Sequence, residues 1–165
     1  MKALGIDPGT ATTGYGIIDG EKDAIQVIDY GCIKTSSKEP AHARLVKISK
    51  DLKKLISKHK PNCIAVERLF FGSNAKTAMS VGQARGVIML AASQSGVEIA
   101  EYTPLEVKMA LTGYGRADKQ QVQQMVKRLL KMKTIPKPDD AADALAVALC
   151  HINSDGFNSK VRKAS

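Results

Sequence analysis

What most constrains this chain is the order in which its hydrophobic periodicity changes. Three short segments rich in apolar and β-branched residues, Lys2 to Asp7, Gly14 to Asp19 and Ala24 to Thr35, open the sequence, separated by Gly-rich or charged turns. They predict an antiparallel meander. From Pro40 to His59 the period lengthens: Leu45, Ile48, Leu52, Leu55 and Ile56 recur at helical spacing, with lysines at the positions between. This predicts an amphipathic helix lying on the sheet, lysines outward. Asn62 to Glu67 then reads as a buried strand, Ser73 to Ser95 as a long helix with many small residues, and Val97 to Tyr102 as a fifth strand. Three further helices begin near Pro104, Asp118 and Asp139, each opening on proline or an acidic residue. The order β-β-β-α-β-α-β-α-α-α predicts an α/β fold. Strands joined by helical crossovers run parallel, so the sheet is mixed and five-stranded, with helices on both faces.

A chain of 165 residues fills one such domain and leaves no room for a second. Residues 1–153 account for it, and 154–165 read as a frayed, flexible basic tail. The longest apolar run, Val87 to Ala92, falls far short of the roughly 18 residues that cross a bilayer. An acidic residue arrives at Asp7 before any signal-like apolar segment, so export is not expected and the cytoplasm is the expected location. Cys32, Cys63 and Cys150 are odd in number and far apart, which predicts reduced thiols rather than a disulfide framework. His42, His59 and His151 are equally scattered and have no metal-ligand spacing. Lys plus Arg number 25 against 16 Asp plus Glu, a net charge of +9, which favours a polyanionic partner such as nucleic acid.

Against that positive background, the placement of the acidic residues is informative. Asp7 ends an apolar strand and is followed by Pro8, Gly9 and Thr10, ordinary turn chemistry if it stood alone. Glu67 also ends an apolar strand, and strand ends line the usual crevice of an open α/β sheet. If the two strands are neighbours, the carboxylates meet. Asp139, Asp140 and Asp143 open the last helix, where three- or four-residue spacing puts Asp143 on the same face as Asp140 or Asp139. Helix capping accounts for Asp139, but Asp143 lies a turn further in, among Ala141, Ala142, Ala144, Leu145 and Ala146. Clustered carboxylates repel by roughly 4 kcal/mol per pair at about 4 Å and an effective dielectric near 20, unless a cation joins them. Oxygen donors without His or Cys select Mg²⁺ or Mn²⁺, and two such ions roughly 3.5 to 4 Å apart clamp a phosphodiester for in-line attack.

Four blocks, Gly5-Ile6-Asp7-Pro8-Gly9, Glu67-Arg68-Leu69-Phe70, Gly82-Gln83-Ala84-Arg85-Gly86 and Asp140-Ala141-Ala142-Asp143-Ala144-Leu145-Ala146, resemble the RuvC family of bacterial Holliday junction resolvases, in order and over nearly the whole chain. The resemblance implies a ribonuclease H-like fold and a homodimer that resolves four-way DNA junctions in recombination and repair. It implies paired, symmetric, metal-dependent nicks with 5′-phosphate and 3′-hydroxyl ends. Asp7, Glu67, Asp140 and Asp143 then match the catalytic and metal-binding acids, holding two Mg²⁺ per subunit with Mn²⁺ as a substitute. Asp139 becomes a neighbour and cap. Lys108 and Lys119 match basic residues near the cut phosphate, and Arg116 and Arg68 are grouped with them as DNA contacts. Phe70 matches an aromatic set against junction bases. Phe71 beside it is either a second such contact or a core residue, since adjacent extended residues point oppositely. Gly82, Arg85 and Gly86 mark the helix that the resemblance makes the dimer contact, although the small residues also suit a core helix. RuvA and RuvB, which migrate the junction, are the implied protein partners.

Other readings of the residues remain open. An Asp-x-Gly-Thr turn after a first strand also begins the phosphate-binding loop of actin-like and sugar-kinase ATPases, but those need a second domain. A non-catalytic junction binder has no use for four carboxylates that repel phosphates. A ribonuclease H-like nuclease acting on RNA or RNA-DNA hybrids is not excluded by the carboxylates themselves.

Overall fold

A computed structural model describes residues 1–21, 24–68 and 75–163, with only the backbone described at 75–76 and 155–163. Five strands, β1 (Lys2–Asp7), β2 (Thr12–Asp19), β3 (Gln26–Lys34), β4 (Cys63–Glu67) and β5 (Glu98–Tyr102), form one sheet in the order β3-β2-β1-β4-β5. The first three pair antiparallel, as the meander predicted, while β4 joins β1 and β5 joins β4 in parallel. The helices are α1 (Ala41–His59), α2 (Ala75–Gln94), α3 (Pro104–Thr112), α4 (Lys119–Leu129) and α5 (Asp139–Lys163). Element order and type agree with the sequence reading, and boundaries differ by a few residues. The expected start of α2 at Ser73 lies outside the described residues.

Within the stretch 154–165, expected from sequence to be a frayed basic tail, the described residues continue α5 to Lys163. An established helix extends at little cost because each added residue gains a hydrogen bond, which carries it past Gly156, the weakest helix former in the stretch.

Strand alternation divides the core into two layers. Leu4, Ile6, Ile17, Ile64 and Val66 pack against α1 and α2 through Ile48, Leu52, Ile56, Ala84 and Ile88. Ala3, Ile18 and Ala65 face the other way, against α3, α4 and α5. On this second face the sheet is unusually bare. A β-carbon on Gly5 would collide with Ala144 and Ala148, one on Gly14 with the Asp140 backbone, and one on Gly16 with Leu145. Three glycines on the strands, met by Ala144 and Ala148, by the Asp140 backbone and by Leu145, thus let α5 lie against β1 and β2 at close range.

The two helices that frame the site are tied at their starts. Thr103 and Glu106 form a reciprocal capping box at α3, and Asp118 and Gln121 form another at α4. The described cysteines are free, with Cys63 and Cys150 buried and Cys32 half-buried. His151 is buried, with Tyr102 Oη 2.9 Å from its Nδ1.

Candidate active site

Asp7 and Glu67 are the last residues of two adjacent parallel strands, whose register pairs Ile6 with Val66. They therefore end side by side. Alternation places both on the α5 face, in line with Ala3 and Gly5 on one strand and Cys63 and Ala65 on the other. The glycine-lined approach of α5 then brings Asp143, one turn into that helix, over the strand ends. Asp7, Glu67 and Asp143 line a cavity of about 240 Å³ together with Lys108 from α3 and Lys119 from the first turn of α4. Pro104, Val107, Val122 and Ala146 form its apolar walls.

These surroundings act on the acids in one direction. Burial, then the charges of Glu67, Asp143 and Asp140, push the Asp7 carboxyl up to about 8, with Lys119 opposing. Glu67 is pushed up to about 7, chiefly by burial and then by Asp143, while a hydrogen bond with Asp7 works against the rise. Burial also raises Asp143, against the opposing hydrogen bond and charge of Lys119. The Lys119 ammonium is 3.0 Å from Asp143 and 3.7 Å from Asp139. Burial disfavours its charge, yet these carboxylates hold its pKa above the ordinary lysine value. A half-buried set of hard oxygen donors, offset only by Lys119 and Lys108, has the chemistry of a divalent-cation site. Among the described residues no three Asp, Glu, His or Cys side chains are yet drawn close enough to hold an ion. Lys119 supplies a counter-charge to Asp143 and Asp139.

Residues 3–151 match the family described as crossover junction endodeoxyribonuclease RuvC. The chain belongs to the RuvC family. The RuvC of Alkaliphilus metalliredigens is 57% identical over 159 residues, which cover 96% of this chain and 97% of that protein. The RuvC of Desulforamulus reducens is 52% identical over 163 residues, covering 98% and 100%. Thermus thermophilus RuvC in complex with Holliday junction substrate has the same fold, with a TM-score of 0.91 at 35% identity and 96% of each chain covered. The sheet and its helices are thus the ribonuclease H-like fold of RuvC resolvases.

The residues singled out from sequence fall into distinct places in this RuvC fold. Asp7, Glu67, Asp143, Lys108 and Lys119 converge on the cavity. Asp140 does not line it: it lies on α5 with its backbone against Gly14, and its charge reaches Asp7 and Asp143. Asp139 is the first residue inside α5 rather than its cap. The Pro138 carbonyl accepts from the amides of Ala141 and Ala142, while Lys137 donates to the Asp139 carboxylate at 2.7 Å. Arg116 is exposed between α3 and α4. Phe70 and Phe71 lie outside the described residues. On α2, Gly82 is half-buried and Gly86 is exposed, with open space around its α-carbon, whereas Arg85 donates to Glu101 on β5. Arg68, also near Glu101, is exposed.

Sequence reasoning missed the glycine face that seats α5 and the Glu101 cluster. Gly14 and Gly16 alternate along one strand in phase with Gly5 on its neighbour, which was a legible signal. A charged residue in the fifth strand was a fainter one.

Proposed function

We propose that this chain is a structure-specific endodeoxyribonuclease that resolves Holliday junctions by paired, symmetric nicks, leaving ligatable 5′-phosphate and 3′-hydroxyl ends, in recombination and repair. The observation that carries the reading is the gathering of Asp7, Glu67 and Asp143 with Lys108 and Lys119 in one cavity of a RuvC-family fold. Asp7, Glu67 and Asp143, with Asp140 completing the set, would hold Mg²⁺, two ions per subunit, with Mn²⁺ as a working substitute. Such ions supply charge neutralisation at the phosphate and a lowered pKa for the attacking water.

The remaining work belongs to the protein. The strand ends fix Asp7 and Glu67 beside one another, so their oxygens need little reorganisation. Lys119 and Lys108, which line the same cavity, would each bind a phosphate oxygen. Arg116 and Arg68 hold the DNA backbone at the rim, and Phe70 and Phe71 stack on junction bases. A homodimer formed through the α2 face of Gly82, Arg85 and Gly86 provides two sites for opposing strands. RuvA and RuvB are its partners, the cytoplasm its location, and 1–153 its nuclease domain, with 154–165 as a basic extension. No described helix is long and apolar enough to cross a membrane.

The deciding experiment incubates the protein with a synthetic four-way junction, a linear duplex and an RNA-DNA hybrid, with Mg²⁺ and with chelator. Symmetric nicking of the junction alone, abolished by chelator, is expected. Equal cutting of all three substrates would reject the assignment.

A further inference from the structure

Glu101 belongs to none of the machinery above, yet two arginines from different elements converge on it. It sits on β5, in line with Ile99 on the face covered by α2, with 27% of its side chain exposed. Arg85 of α2 donates to its Oε2, and the Nε of Arg85 is buried without another partner among the described residues. Arg68 Nε lies 3.8 Å from the same oxygen. The Arg68 amide donates to the Tyr102 carbonyl at 2.7 Å, so its backbone is fixed to the end of β5 while its side chain stays within ion-pair reach of Glu101. The charge of Arg68 also reaches Glu106, lowering that carboxyl after the hydrogen bonds of the α3 cap.

Arg68 directly follows Glu67, so strand alternation turns the two side chains to opposite faces of the same strand end. More than half of the Arg68 side chain is open to solvent, 55%. A guanidinium tethered by its Nε keeps its outer N–H groups available for a phosphate oxygen, and immobilising it beforehand removes side-chain entropy that binding would otherwise cost. A DNA strand lying across the strand end, with its reacting phosphate at Glu67, carries further phosphates close by on either side.

We propose that Glu101, anchored by Arg85, is a positioning residue that aims Arg68 at a backbone phosphate adjoining the one cut. Glu101 touches no DNA in this arrangement. It acts through Arg68, and it links the α2 helix to the rim of the active site. The inference rests on the junction-cleaving reading above.

Simple electrostatics and positioning predict opposite outcomes for Glu101→Gln. Deleting a negative charge beside DNA should tighten binding, whereas freeing Arg68 should weaken it. The test measures Kd for a fluorescent four-way junction in chelator, and KM and kcat with Mg²⁺, for the wild type, E101Q, R68A and the double variant. E101Q and R68A are each expected to raise Kd and KM by about five- to tenfold, the loss of one charge-assisted phosphate contact. The loss should fall on KM rather than kcat, and the double variant should be no worse than either single one. Glu101→Asp, which keeps the charge, should recover part of the affinity and takes the place of E101Q in the cycle if E101Q fails to fold. Tighter or unchanged binding by E101Q, or effects that multiply in the double variant, would overturn the proposal. Wild-type protein that binds junctions but does not cut them would instead overturn the assigned activity, leaving the binding arm still able to judge Glu101.

Discussion

Burial and three neighbouring carboxylates hold the Asp7 carboxyl at about 8, and burial with Asp143 holds Glu67 at about 7. Both values lie above those of an unfolded chain, so the native protein binds more protons across that interval. The stability these groups contribute is complete below about pH 4 and is lost as pH rises through 7 and 8. Metal-free protein should therefore melt at progressively lower temperature from about pH 5 to pH 9. Mg²⁺ should restore most of the loss at the alkaline end, and Asp7→Asn should flatten the profile. Thermal melts at several pH values, with and without the ion, check all three. A pH-independent Tm in the wild type would contradict the half-buried, mutually repelling acids. The same Asp7→Asn change is expected to abolish nicking and preserve junction binding, because the lysines supply the phosphate contacts. Gel-shift and cleavage assays on one preparation separate the two.

At the scale of elements, the site depends on how closely α5 approaches the sheet. Gly14→Ala would place a β-carbon against the Asp140 backbone, and Gly16→Ala one against Leu145. Each should cost about 1–3 kcal/mol, as overpacking does, read as a lower urea midpoint with an unchanged slope. Gly14→Ala should also slow cleavage more than Gly16→Ala, since it displaces the part of α5 that carries Asp140 and Asp143. Equal cleavage losses in the two variants would show that stability alone is at stake. The elements were almost wholly legible in the sequence because each carries its own periodicity and cap, as in the Thr103–Glu106 and Asp118–Gln121 boxes. The length of α5 was not. Continuation of a helix past Asn153 depends on cooperativity with the turns before it, and local composition does not display that.

For the molecule as a whole, α2 leaves a face without a cover in the single chain. Met79 and Leu90 are 77% and 57% exposed, with Gly86 between them open to solvent. If this face joins two subunits, Leu90→Glu should yield a monomer by sedimentation and convert paired junction cleavage into single, unpaired nicks. A Leu90→Glu protein that remains a dimer would place the interface elsewhere. The sequence by itself determined the order of strands and helices, the positive charge, the positions of Asp7 and Glu67 at strand ends and that of Asp143 one turn into the last helix, because these follow from local periodicity. It also showed the glycines, but not what they are for. Only the tertiary structure decided that β4 lies beside β1, that Asp140 stands outside the cavity its helical neighbour Asp143 enters, and that Arg85 turns to Glu101. Strand order, the distance between a helix and a sheet, and the partner of a long charged side chain are set by contacts between residues far apart in the chain.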